Sequence, residues 1–225
     1  LSTAFETPTT TELANQPDGR TGLNRVLDPQ RSVSLEVGLR SPVAFGQIEA
    51  AAWTTSTRDA ITPFQDIGGR SYYTNAGRTR TRGVEAAAQA TLHPGIVALA
   101  TVTVTDATFR DYVVNGVQLA GRRDAGIPRT VARLGIRGAI GRLALDADHA
   151  FASVQYADDA NTLEAAGWGA GITGLRLRWI PRGRHALAPF VSVQNLFNRR
   201  VIGSVTVNGT FGRVFEPAAG RFISG

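Results

Sequence analysis

Arg78-Thr79-Arg80-Thr81-Arg82-Gly83-Val84-Glu85-Ala86-Ala87-Ala88-Gln89-Ala90-Thr91-Leu92 is the stretch on which the fold turns. Strand side chains alternate between faces, so Val84, Ala86, Ala88, Ala90 and Leu92 share one side, and Glu85, Gln89 and Thr91 the other. Continued backwards, the apolar row becomes Arg82, Arg80 and Arg78, so one face passes from wholly apolar to wholly basic at a single level. With ~3.4 Å per residue and ~40° of tilt, residues 84–92 rise about 21 Å, close to the ~25 Å apolar band of a membrane-spanning barrel. The arginines then begin where hydrocarbon ends, placed to contact lipid-A and core phosphates of lipopolysaccharide. Alternation alone does not say which face is outside, and a bulge at Gly83 would turn the arginine row inward.

The same period recurs along the chain. It predicts strands over 31–40, 45–56, 71–92, 96–110, 129–137, 142–156, 171–180 and 186–196, with a ninth beginning at 221 and cut short. Short turns carrying Gly or Pro (Ser41-Pro42, His93-Pro94-Gly95, Gly138 to Gly141, Pro181-Arg182-Gly183-Arg184) alternate with long polar connections over 57–70, 111–128, 157–170 and 197–220. Residues 1–30 read as a further extracellular loop region, and 31–225 as barrel strands. Sorting by parity is the habit of outer-membrane barrels, which have short periplasmic turns and long outer loops. A soluble sandwich has no reason to do it. The expected fold is therefore all-β: about nine antiparallel strands of a larger transmembrane barrel.

Facing residues refine this. With Ala139-Ile140 at the turn, Ile136 faces Leu143 and Leu134 faces Leu145 on the apolar side, and Arg133 faces Asp146 on the polar side as a lumen ion pair. A slip of one residue would put charge into lipid, at about 2–4 kcal/mol for an arginine near the midplane. Leu175, Leu177 and Trp179 share a face against Arg176 and Arg178, which sets Trp179 in the aromatic girdle beside a short turn.

Composition removes several chemistries. There is no cysteine, so no disulfide framework, thiolate metal site or Cys nucleophile. The 24 basic side chains are all arginine, and the net charge of +6 could favour nucleic acid, lipid phosphate or an anionic ligand. Nucleic-acid binding would cluster arginines with stacking aromatics on one sheet face, whereas here they are scattered over turns and both faces. His93, His149 and His185 have no metal-ligand spacing, and Asp158-Asp159 with Asn161 lacks the glycine and terminal glutamate of a calcium loop. No nucleophile elbow or phosphate loop occurs, and the best partner for Asp146 is an arginine rather than Asp148, so no enzyme, cofactor or metal is expected.

Several stretches resemble one family. Asn75-Ala76-Gly77-Arg78-Thr79-Arg80-Thr81-Arg82-Gly83-Val84-Glu85 is similar to the "NAGK.R..GVE" strand of TonB-dependent receptors. Gly126-Ile127-Pro128-Arg129 resembles their "G.PR" strand start, and Leu27-Asp28-Pro29-Gln30-Arg31-Ser32 their "L.PE.S". Val193-Gln194-Asn195-Leu196-Phe197-Asn198-Arg199-Arg200 resembles "V.NLFDRRY", with Asn198 for the Asp, and Phe215-Glu216-Pro217-Ala218-Ala219-Gly220-Arg221 resembles "FEPAPGR". The resemblance implies the C-terminal portion of a barrel of about 22 strands in the Gram-negative outer membrane. It further implies a receptor that imports a ferric siderophore or similar nutrient, with TonB acting through a plug-bearing N-terminal region missing from these residues. A passive porin or structural barrel is the competing reading.

Overall fold

The computed structural model describes residues 1–18, 20, 22–65, 70–114, 116–182, 187–209 and 214–225. In chain order the elements open with β1 (Ser2–Glu6), the short helix α1 (Thr10–Leu13), β2 (Gln30–Val43), β3 (Gly46–Gln65), β4 (Ser71–His93) and β5 (Ile96–Asp111). Then come β6 (Val113–Val114), β7 (Val117–Gln118), β8 (Thr130–Ile140), β9 (Leu143–Ala152), β10 (Gln155–Tyr156) and β11 (Glu164–Ala165). The chain closes with β12 (Ile172–Trp179), β13 (Phe190–Gln194), β14 (Ile202–Val205), β15 (Phe215–Pro217) and β16 (Phe222–Ser224). Ten of these form one antiparallel meander in the order β1-β2-β3-β4-β5-β8-β9-β12-β13-β16, and β6-β7, β10-β11 and β14-β15 are small hairpins within the long connections. All nine expected strands are present. The tenth, β1, corrects the reading of residues 1–30 as loop: Ser2–Glu6 pairs with β2 from Ser2↔Ser34 to Glu6↔Gln30.

Register runs the two chemistries across the whole sheet. One row reads Leu39, Ala50, Ala86, Val102, Ala132 and Phe151, strand by strand. Another reads Ala98, Ile136, Ala147, Leu175, Val193 and Ile223. Large apolar side chains on this face stand open: Val37 is 72% exposed, Leu39 64% and Ile140 78%. Apolar surface left open on every neighbouring strand is a lipid-facing sheet, not half of a dry sandwich. The opposite face carries Glu36, Arg40, Glu49, Glu85, Arg133, Asp146, Asp148 and Arg176. Ion pairs join neighbours there, Arg40 to Glu49 at 3.0 Å and Arg137 to Asp146 at 3.5 Å.

The main buried apolar cluster lies not between sheets but beyond one edge of the band. Ala76, Phe109, Tyr112 and Leu119 are buried there, with Ala60, Phe64, Val114 and Ala160 packed on them, and the Phe109 and Tyr112 rings stand 4.7 Å apart. This cluster explains why the stretch from Thr57 to Gln65, expected as part of a loop, is strand. β3 and β4 stay paired from Arg58↔Arg78 to Gln65↔Ser71, past the end of β2 and of β5, so the pair rises as a two-stranded ribbon. Ala60, Phe64 and Ala76 have the parity of the lipid-facing row, yet they pack with Phe109, which belongs to the polar face. The ribbon therefore changes face at its base, where Asp59 takes φ 55 and the ladder with β5 slips between Arg78 and Thr79. Gly77 is needed at that step, since a Cβ there would sit 2.5 Å from the Asp111 carbonyl oxygen. Gly83, where a bulge was the alternative to an outward arginine row, keeps regular pairing, and the Trp53 indole rests on it.

Candidate functional site: a polar cleft beneath converging loops

On the polar face, near the base of the ribbon, is a cleft of about 640 Å³. β1 supplies Glu6, β2 Gln30 and Ser32, β3 Thr55 and Thr57, and β4 Thr79 and Thr81. These residues point the same way because they hold the polar parity of consecutive, registered strands. Asp124 and Ala125, from the connection between β5 and β8, and Val207, from that between β13 and β16, close the cleft from above.

The roof is fixed by asparagines. Asn208, held at φ 54, donates from Nδ2 to the Pro63 carbonyl at 3.0 Å and to Asp159 Oδ2 at 2.8 Å, while its Oδ1 accepts from the Asp159 amide at 3.0 Å. One side chain thus ties the ribbon to two long connections. Asn161 accepts from the Arg123 amide at 2.6 Å and donates to the Arg123 carbonyl at 2.8 Å, binding the β9–β12 connection to the β5–β8 connection. Asp158, weighed from sequence as a calcium ligand, is spent on its own loop, accepting from the Thr162 amide at 2.9 Å and the Leu163 amide at 2.6 Å.

Charge in this roof is held under strain. Burial, with the neighbouring Asp159 charge, pushes the Asp124 carboxyl up to about 6. Burial also raises Asp159, against the lowering effects of Asn208 and the Ala125 amide, and it raises the Tyr112 phenol.

The family-like motifs serve as locks of the same kind. Asn75 donates to the Asp28 carbonyl at 2.9 Å and accepts from its amide at 2.8 Å, so the stretch around Leu27 and the stretch around Ala76 hold each other. Gly126, at φ 78, leaves room for Val207, which a Cβ would meet at 2.9 Å. Asn195 binds the Arg199 amide and carbonyl and the Ala219 carbonyl, and Asn198 accepts from the Arg221 amide at 2.9 Å, which joins the "NLFN" stretch to the segment before β16.

The sequence-derived sites fare unevenly. Arg133 stands opposite Ala150, and Asp146 opposite Arg137, so the Arg133–Asp146 pair is corrected by four positions. The cause is the turn: Gly141, at φ 62, and Arg142 form a two-residue connection, and β8 runs on to Ile140 instead of stopping at Arg137. Arg133 and Asp146 still line one hollow on the polar face, over Gly135. Asp146 is also flanked by Arg176 across the β9–β12 ladder.

Arg78, Arg80 and Arg82 do continue the apolar row, but they are not equivalent. Arg82 is bound to Asp106 at 2.9 Å across the ladder. Arg78 stands beside Arg58, which stands beside Arg31, three like charges in one row; Asp111 faces Arg78 across the β4–β5 ladder, but no ion pair among the described residues joins any of the three to a carboxylate. Trp179 lies in the outward row next to the short connection, 41% exposed, with the Arg142 guanidinium 4.6 Å over its ring. The turn expected at 181–184 and His185 fall largely or wholly outside the described residues.

Residues 1–196 match the family model described as TonB dependent receptor-like, beta-barrel. Among solved structures, the copper transporter OprC superposes with a TM-score of 0.74 at 19% identity, over 98% of this chain and 35% of that one. The ferric yersiniabactin uptake receptor FyuA from Yersinia pestis gives 0.71 at 25% identity, over 87% of this chain and 29% of that one. The ferric-catecholate import receptor Fiu from K12 E. coli, in its closed form, gives 0.68 at 18% identity, over 98% of this chain and 31% of that one. The chain spans about a third of the length of these structures.

Proposed function

Because the chain belongs to the TonB-dependent receptor β-barrel family, outer-membrane transporters of Gram-negative bacteria and not enzymes, we propose that it is barrel wall of a receptor importing a ferric siderophore or similar scarce nutrient. The observation that carries this reading is the cleft: a polar chamber on the face away from lipid, roofed by long connections locked to one another. A passive pore has no need of a roofed pocket. The 25% identity to a ferric yersiniabactin uptake receptor supports iron as the cargo metal. TonB is the proposed energy-coupling partner, acting through the N-terminal region of the whole receptor.

Deleting the gene and growing cells on single ferric chelates under iron limitation tests the proposal. Growth on one chelate should fail, return with the gene, and fail again without TonB. Uptake that persists without TonB would instead indicate a passive porin or a structural barrel.

A second surface belongs to the same proposal. Arg31, Arg58, Arg78 and Arg80 contact lipid-A and core phosphates of lipopolysaccharide where the apolar row ends, and Arg82 contributes less because Asp106 already neutralises it. Like charges facing across a ladder are unfavourable until an anion sits between them. Changing Arg31, Arg58 and Arg78 together to Gln should reduce the lipopolysaccharide that co-purifies with the receptor. Unchanged co-purification would sink the assignment.

A further inference from the structure

Resting on the reading of the cleft as the ligand site, we propose that its occupant is an uncharged or cationic solute rich in hydrogen-bonding groups, and that polyanionic complexes are refused. The wall is a sheet of hydroxyls, those of Ser32, Thr55, Thr57, Thr79 and Thr81, which donate and accept equally well. Its charged lining groups are carboxyls, Glu6 and Asp124. No arginine lines it among the described residues, in a chain whose 24 basic residues are all arginine. Carboxylates accept but never donate, and they repel an anion most strongly where solvent is thin.

The sorting is built into the strand. Along β4 the alternation Arg78-Thr79-Arg80-Thr81-Arg82 sends threonine into the cleft and arginine to the lipid side. Thr57 and Arg58 repeat the division on β3. A slip of a single residue would line the same space with guanidinium groups suited to carboxylate or phenolate anions. The register therefore sets the sign of the ligand as well as the face of the sheet.

Two ferric complexes of similar size separate the cases. A trihydroxamate uses three singly charged donors, leaving Fe(III) neutral, and a pendant ammonium makes it cationic. A tricatecholate uses six phenolate oxygens and keeps three negative charges. With the purified full-length receptor, equilibrium dialysis should show the ammonium-bearing trihydroxamate binding roughly tenfold or more tighter than the tricatecholate. In the double variant Glu6→Gln, Asp124→Asn the preference should shrink to about threefold or less.

Thr57→Arg supplies a gain-of-function check independent of any loss of folding, since it should bring measurable affinity for the tricatecholate. Tighter tricatecholate binding by the unaltered receptor, an undiminished preference in the double variant, or no binding of either complex would each overturn the assignment. Growth dependent on TonB and on this gene with the tricatecholate as iron source would remove the charge rule while leaving the import reading intact.

Discussion

Replacing Val102 by arginine is expected to cost the barrel about 2–4 kcal/mol, whereas arginine at the adjacent Thr103 should cost little. Val102 stands between Ala86 and Ala132 in the lipid-facing row, so a guanidinium there has only hydrocarbon and methyl groups for neighbours. Thr103 stands between Glu85 and Val131 on the polar face, where a carboxylate is directly across the ladder. Denaturant titration of the full-length receptor in lipid vesicles reads the difference. Equal costs at the two positions would mean that the faces are not divided as assigned. The pair of variants is informative because the residues are neighbours on one strand, so strand propensity and distance from the chain ends are matched.

The face division was legible in the sequence because it is a local property. Val84 to Ala90, Leu143 with Leu145, and Leu175 with Trp179 declare their side by period alone, and the structure keeps every one of them outward. Register was less legible because it depends on where a turn is made. The glycines at 138 and 141 both invited a break, and only Gly141 adopts the left-handed conformation that a two-residue hairpin requires. The resulting shift of four residues preserves parity. The apolar and polar faces of β8 and β9 therefore came out right while the ion partner of Asp146 did not.

What stayed hidden was set by distant contacts. β1 is five exposed residues with no apolar alternation, and what makes it a strand is its ladder with the distant β2, from Ser2↔Ser34 to Glu6↔Gln30. The polar run after Thr57 resembles a loop in composition, but its backbone is satisfied by β4 and its ring side chain, Phe64, by Tyr72 and Tyr112. The cleft draws on β1, β2, β3, β4 and two connections, so no window of sequence contains its pattern. The Asn208-Gly209 dipeptide signals a turn, but nothing local shows that Asn208 would reach back to Pro63.

That reach makes Asn208 the place where the roof is most easily opened. Asn208→Ala removes the donor from Asp159, whose carboxyl is buried, and leaves that charge without its side-chain partner; loss of one partner from a buried charge costs on the order of 3 kcal/mol. The penalty should depend on pH. Asp124 and Asp159 are both raised in the folded roof, so the folded state holds protons that the unfolded loops release. Stability of the roof accordingly falls as pH rises from the ordinary carboxyl range through about 6, where Asp124 ionises. The asparagine matters more as Asp159 ionises, since burial raises that carboxyl and a neutral Asp159 tolerates the loss better than an ionised one. Hydrogen exchange of residues 157–165 in the full-length receptor should therefore show the variant far more open than the parent at pH 8, with the gap narrowing at pH 5, while β8 and β9 exchange alike in both. A gap independent of pH would mean that Asn208 acts through backbone geometry alone and that the buried carboxyls do not govern the roof.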